Sequence, residues 1–248
     1  MPIRRPPTGF APPAPHPALE PAAIIRALGP VLAQRRRRRV DHVVAHRLWS
    51  VTVVLEAPHD PHNAAAVLRS CEALGLLDVH IVPAAGGFAF SRRVTQHADK
   101  WLNVYLHRSV ERCLEWLTAA GFQCCAARPP PLGGAAPAST WSLPTERPLA
   151  LVFGNEHAGL SAAAAAACSR DFHLPMHGFG ESLNLSVAAA LAVAAAVEQR
   201  RRWIGAPGDL PAAERERLRA AYYVRATTHG LSRLLTLLDP DPRHKVRP

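Results

Sequence analysis

Lysine is almost missing from this chain of 248 residues: of 29 basic residues, only Lys100 and Lys245 are lysine. Aromatic residues make up only 6%. Alanine supplies much of the 48% apolar content, so helices packed through small side chains are expected. No run of about 20 apolar residues free of charge occurs, which excludes a membrane-spanning helix of ordinary composition. The most apolar run, Val187 to Val197, is too short and leads into arginines. There is no apolar core of a signal peptide near the N-terminus. Eight prolines among the first 21 residues would break the amphipathic helix of a transit peptide. Five cysteines, an odd number with no C-x-x-C pair, argue against a disulfide framework and a structural zinc site. The expected setting is a reducing cytoplasm, with no membrane and no metal. Three fingerprints are also missing: G-x-G-x-x-G after a strand, G-x-x-x-x-G-K-[ST], and H-E-x-x-H. That removes the usual signs of a dinucleotide fold, a P-loop and a zinc protease.

What the chain has in excess is arginine, unevenly placed. Residues 1–47 carry nine arginines against Glu20 and Asp41, a net +7. Residues 48–197 are close to neutral at −2, and residues 198–248 return to +5. Basic flanks on a neutral core suit a polyanion, because guanidinium forks match phosphate geometry. The run Arg35, Arg36, Arg37, Arg38 and Arg39 lies beside an apolar helical stripe, which makes a basic arm. Arg200, Arg201 and Lys100 are further candidates for contact with RNA or DNA.

The hydropathy pattern alternates strands and helices, which is the signature of an α/β fold. Residues 1–21 read as a disordered Pro-rich tail, 22–47 as a basic helical arm, and 48–203 as the central domain. Residues 204–248 read as a helical extension and tail, ordered only in part past 225. Strands are expected at 51–56, 79–82, 103–106, 122–126, 149–153 and 171–174. The segment 149–153 is continuously apolar and therefore central. Helices are expected at 64–74, 109–120, 161–168, about 182–203, and 211–225. The stretch 128–148 reads as a long surface loop.

Three segments carry unusual chemistry. His59-Asp-Pro-His-Asn63 leads into Arg69. Leu151-Val-Phe-Gly154-Asn-Glu156 ends a strand on a carboxylate, at the edge where α/β proteins bind ligands. Leu174-Pro-Met176-His-Gly-Phe-Gly-Glu-Ser182-Leu183-Asn184 brings glycines and polar caps to the start of a long helix. Each has a bland explanation alone: a helix cap, an ion pair, a turn.

Together these segments resemble the three motifs of the SpoU/TrmH RNA 2′-O-ribose methyltransferases of the SPOUT class. The resemblance spans roughly residues 35–225 and is most specific in the third segment. Within the family the chain is most similar to enzymes acting on guanosine 18 of the tRNA D-loop. The shared features are the approach Pro58 to Asn63, the pair Lys100-Trp101, and the stretch Leu210 to Leu218. The resemblance implies a sheet flanked by helices with a C-terminal deep trefoil knot, and a homodimer. It implies S-adenosylmethionine held around Ala127, Gly154, Leu174, Met176 and Leu183. Asn63, Arg69, Glu156, Ser182 and Asn184 would form the catalytic set, with Arg69 at its centre. The other readings are a ribosomal RNA 2′-O-methyltransferase and a catalytically silent knotted RNA-binding protein. The imidazoles of His157 and His177 lie within the second and third motifs.

Overall fold

In the computed structural model, residues 19–84, 100–129 and 137–238 are described. Most of the Pro-rich tail, the heart of the 128–148 loop and the last ten residues fall outside them. The described residues divide into two compact units: one of residues 47–209, the other of 19–46 with 210–238.

The first unit is built on a sheet of seven strands, every pairing parallel. In chain order these are β1 (Val51–Glu56), β2 (Asp78–Val82), β3 (Asn103–Leu106), β4 (Gln123–Ala127), β5 (Ala138–Ser139), β6 (Leu149–Phe153) and β7 (Arg170–His173). The spatial order is β3-β2-β1-β6-β4-β7-β5. The strands β1 and β6 are therefore central, and all their residues are buried. A strand buried on both faces reads as an unbroken apolar run, which is how 149–153 reads.

Alternation sorts the side chains between two cores. Val51, Val53, Leu55, Leu149, Leu151 and Phe153 join one apolar cluster, to which Val67, Leu68, Ala192 and Val193 also belong. The last four come from α3 (Pro61–Leu74) and α6 (Leu185–Ile204), two helices that pack on each other. Val54, Ala150 and Val152 face the opposite cluster with Val110, Cys113, Leu117 and Ala164. There the cover is α4 (Val110–Ala119) and α5 (Ala162–Ala167).

The strand β5 was not expected. It has two residues, too few for a hydropathy pattern, and is tied to β7 by Thr140 Oγ1 donating to the His173 carbonyl at 2.9 Å.

The second unit contains α1 (Pro21–Leu28), α2 (Gln34–Ala45), α7 (Ala212–Ala226) and α8 (Gly230–Leu238). The helix α7 packs against the other three. The single helical period over 22–47 is interrupted by a tight turn at Gly29–Val31. Pro30 has no N–H for the helix ladder, so α1 ends before it. Beyond 225, α8 is an ordered helix with Leu234 buried. Asp41 and Arg219 form an ion pair at 2.9 Å. Among the described residues no helix is long and apolar enough to cross a membrane.

Candidate active site

The carboxyl ends of β1 and β6 lie side by side, since Leu55 is in register with Phe153. Each end turns into a loop that the sequence had marked. After β1, Asp60 caps α3 by accepting from the His62 N–H at 2.8 Å, with Pro61 in the first helical position. Asn63 is thus inside the first turn rather than at the cap, and its amide is available for other contacts.

After β6, Gly154 has no alternative. A Cβ there would lie 2.2 Å from the Gly159 carbonyl carbon and 2.3 Å from the Leu160 nitrogen. The loop closes through an Asn155–Gly159 bridge, and the Asn155 Oδ1 accepts from the His157 and Ala158 N–H groups at 2.8 and 3.0 Å. Asn155 Nδ2 reaches back to the Ala57 carbonyl at 2.8 Å. The two loops are therefore laced together by an amide that sequence reasoning passed over.

Glu156 is the hub of the site. It accepts from Asn63 Nδ2 at 3.0 Å, from the His59 N–H at 2.8 Å and from the Asp60 N–H at 3.3 Å. Burial raises the Glu156 pKa, but the hydrogen bonds from Asn63, His59 and Asp60 outweigh it and hold the carboxyl below its ordinary 4.5. Asn63 Oδ1 in turn accepts from Asn184 Nδ2 at 3.0 Å. Asn184 also caps α6, its Oδ1 accepting from the Ser186 N–H at 2.8 Å and the Ser186 hydroxyl at 2.7 Å. One hydrogen-bonded line, Asn184–Asn63–Glu156, joins the three segments singled out from the sequence.

The other expected catalytic residues stand outside that line. Arg69 is exposed on α3, six residues after Asn63, which is about 9 Å along the helix axis. Among the described residues its guanidinium has no hydrogen bond or ion pair. Ser182 is exposed and its hydroxyl is likewise unpaired among the described residues.

Glu56 was missed. It ends β1 at 8% exposure, accepting from the Ser161 N–H at 2.9 Å and the Ser161 hydroxyl at 2.6 Å. Ser161 also caps α5, accepting from the Ala164 N–H at 3.0 Å. The signal was present in the sequence: a carboxylate closing an apolar strand needs donors.

The proposed cofactor residues gather at neighbouring strand ends. Gly154 follows β6, Ala127 ends β4, and Leu174 follows β7, three adjacent strands. Met176 and Leu183 expose apolar side chains, 36% and 40%, on the irregular segment before α6. Among the described residues, the backbone groups of residues 174–183 make no hydrogen bonds to one another or to the sheet. Apolar surface beside free N–H and C=O groups fits a purine and its ribose.

Two expected RNA contacts are corrected. Arg200 is buried at 8% exposure, with Nε donating to the Ser50 hydroxyl at 2.9 Å and Nη1 to the Thr145 carbonyl at 2.6 Å. Arg201 is half-buried and donates to the carbonyls of Pro207 and Leu74 at 2.9 and 3.3 Å. Both guanidiniums hold the fold. Arg35, Arg36, Arg38 and Arg39 are exposed on α2, and Arg37 is half-buried. Lys100 is exposed, its ammonium 5.3 Å from the Trp101 ring centre.

Residues 50–194 match the SpoU rRNA Methylase family. The tRNA (guanosine(18)-2′-O)-methyltransferase of Thermus thermophilus is 34% identical over 173 residues, 67% of this chain and 84% of that protein. The 23S rRNA (guanosine-2′-O-)-methyltransferase RlmB of Xanthomonas campestris is 32% identical over 154 residues, 61% of this chain and 59% of that one. Among solved structures, the A. aeolicus TrmH/SpoU tRNA modifying enzyme superposes with a TM-score of 0.66 at 26% identity. That match covers 76% of this chain and 96% of the other.

Proposed function

The chain belongs to the SpoU rRNA methylase family, and on that premise we propose that it methylates the ribose 2′-hydroxyl of guanosine 18 in the tRNA D-loop. The observation that carries the reading is the line Asn184–Asn63–Glu156. It draws all three motif segments to the ligand-binding edge of the sheet. The tRNA substrate follows the similarity to the Thermus thermophilus enzyme.

S-adenosylmethionine supplies an electrophilic methyl group on a sulfonium. The residues that would hold it are Ala127, Gly154, Leu174, Met176 and Leu183, through backbone groups and apolar contact. The ribose hydroxyl is a weak nucleophile, so charge developing on its oxygen needs a cation. Arg69 supplies that charge. A guanidinium is a donor of hydrogen bonds and not a base, so it stabilises the alkoxide and binds the adjacent phosphate, which relays the proton to solvent. Asn63 positions the ribose, Glu156 fixes the Asn63 amide, and Asn184 ties that amide to the start of α6. Ser182 shapes the segment before α6 from its exposed position.

We further propose a homodimer whose contact includes the free face of α6. Val187 and Leu191 are exposed there at 47% and 41%, and Met176 and Leu183 are exposed on the segment that leads into α6. A trefoil knot in the C-terminal part of residues 48–203, family-like, would bring the 174–184 segment to the site. The exposed arginines of α2 grip tRNA phosphates as a basic arm, and Lys100 makes a phosphate contact of its own. A tRNA substrate places the reaction in the cytoplasm.

The test is methylation in vitro with labelled S-adenosylmethionine, unmodified tRNA transcripts, ribosomal RNA fragments and DNA. Label at a D-loop ribose, lost in Arg69→Ala, is the expected result. Label in ribosomal RNA alone would move the substrate to the RlmB-like reading. Binding without label would leave a silent RNA-binding protein. Replacing Arg35, Arg36, Arg38 and Arg39 with serine should weaken tRNA binding and flatten its salt dependence, by close to one unit of slope for each phosphate no longer neutralised.

A further inference from the structure

The face of the sheet turned away from α3 and α6 holds a group that methyl transfer does not use. His80 lies in β2 between Val79 and Ile81, which face the α3–α6 core, so its ring points to the other side. There it meets His107, just past β3, and Cys113 on α4. The ligand atoms of the three residues all lie within 4.8 Å of one another. His80 Nδ1 and His107 Nε2 are 2.9 Å apart and share one proton. Tyr105 stacks on His80 with ring centres 5.2 Å apart, and Trp116 lies 5.6 Å away, so aromatic walls enclose the group. His80 and Cys113 are buried at 1% and 0% exposure, while His107 is half-buried and leaves a way in.

Burial, with His107 adding to it, pulls the His80 pKa down to about 3, and burial lowers His107 as well. Coordination takes the neutral form of each imidazole. Burial pushes the Cys113 thiol up, so the proton leaves only if a cation takes its place. Two imidazoles and one thiolate form a soft, three-coordinate set. Among the described residues no carboxylate joins the group. One thiolate balances a monovalent cation and leaves no net charge in an apolar pocket. A divalent ion would keep one uncompensated charge and require a fourth ligand.

We propose that His80, His107 and Cys113 form a binding site for cuprous copper. The copper–sulfur bond forms as the Cys113 S–H bond breaks, with the proton released to water. The proton shared by the imidazoles moves to an outer ring nitrogen, with no change of oxidation state. The two nitrogens need to part from 2.9 Å to roughly 3.5 Å, the separation of two nitrogens at about 2.0 Å on a trigonal ion.

The test is anaerobic titration of the reduced full chain with cuprous ion against the chelator bicinchoninate, followed by X-ray absorption of the loaded protein. One copper per chain with two nitrogens and one sulfur is expected. His107→Leu and Cys113→Ala should each weaken binding about 100-fold, and Cys168→Ser should bind like the wild type. Zinc given alone should raise the melting temperature less than cuprous ion does. Undiminished binding in both variants, coordination by sulfur alone, or failure to compete with the chelator would overturn the site. A larger thermal shift with zinc would overturn the choice of ion. His107 is partly solvent-facing, so its variant remains informative if Cys113→Ala folds poorly.

Discussion

The pair β1–β6 ends in polar side chains at both edges, and the two edges treat them differently. At the amino edge, Asp209 accepts from the Trp49 N–H at 2.8 Å and the Ser50 N–H at 3.3 Å, and also from the Ser50 hydroxyl. Arg200 donates to the same hydroxyl. Nearby, the fully buried Arg47 donates to the Leu76 carbonyl at 2.7 Å, the Glu72 carbonyl at 3.1 Å and Glu72 Oε1 at 2.9 Å. At the carboxyl edge, Asn63 and Glu156 are half-buried and Asn184 is exposed, and further along α3 the exposed Arg69 has no partner among the described residues. A buried guanidinium is tolerated only when its donors are satisfied, so the amino edge seals the fold. The carboxyl edge leaves its polar groups within reach of a ligand, and the Arg69 guanidinium on α3 is open to solvent and to a phosphate.

That contrast predicts opposite failures from two arginine substitutions. Arg69→Ala should lower single-turnover methylation roughly 1,000-fold, by loss of charge stabilisation on the oxygen. Its urea midpoint should not move. Arg47→Met should leave turnover per folded molecule intact but cost about 3 kcal/mol of stability. The figure is at the low end because Glu72, with its side chain 28% exposed, keeps access to water. Urea denaturation and single-turnover kinetics on both variants read the two effects separately. Unfolding in Arg69→Ala, or lost turnover in folded Arg47→Met, would erase the distinction.

A smaller effect tests whether Glu156 acts through Asn63. The Glu156 carboxyl is held below 4.5 when folded, so its hydrogen bonds stabilise the site fully above that pH. They are lost as pH falls through the depressed folded value. The Asn63 side-chain amide signals should therefore titrate in NMR with a midpoint below 4.5. Glu156→Gln should abolish that titration and slow methylation about tenfold to a hundredfold. A midpoint at or above 4.5 would mean that the three donors do not control the carboxylate.

The sequence displayed the carboxyl edge better than the amino edge, for physical reasons. Asn63, Glu156 and Asn184 sit in turns whose prolines, glycines and caps are visible as local pattern. The central strands are visible because β-branched and apolar runs of five or six residues have few other uses. Arg200 looked like part of a basic surface because Arg201 and Arg202 follow it, and nothing local tells which of three arginines turns inward. Its burial depends on Ser50 and Thr145, far away in the chain. The His80, His107 and Cys113 group is hidden in the same way. Its members come from three elements with no motif spacing, and only the parallel pairing of β2 with β3 brings the two imidazoles together. Pro30 was the opposite case, a visible breaker inside a helical period that the structure obeys.

The smallest predicted effect lies in the turn that joins β1 to the site. Ala57 has φ of +45°, in the left-handed region that a Cβ disfavours. Its N–H donates to the Val82 carbonyl at 2.8 Å, and its own carbonyl takes the Asn155 amide. Ala57→Gly should relieve roughly 1 kcal/mol of that conformation. The freer unfolded chain should cost back about 0.4–1 kcal/mol. Net stability in urea should therefore change by less than about 0.5 kcal/mol. Turnover should still fall a few-fold, because residues 57–60 carry the N–H groups that fix Glu156 and would be held less firmly. A stability loss above about 1 kcal/mol with unchanged turnover would place Ala57 with the sealed edge rather than the open one.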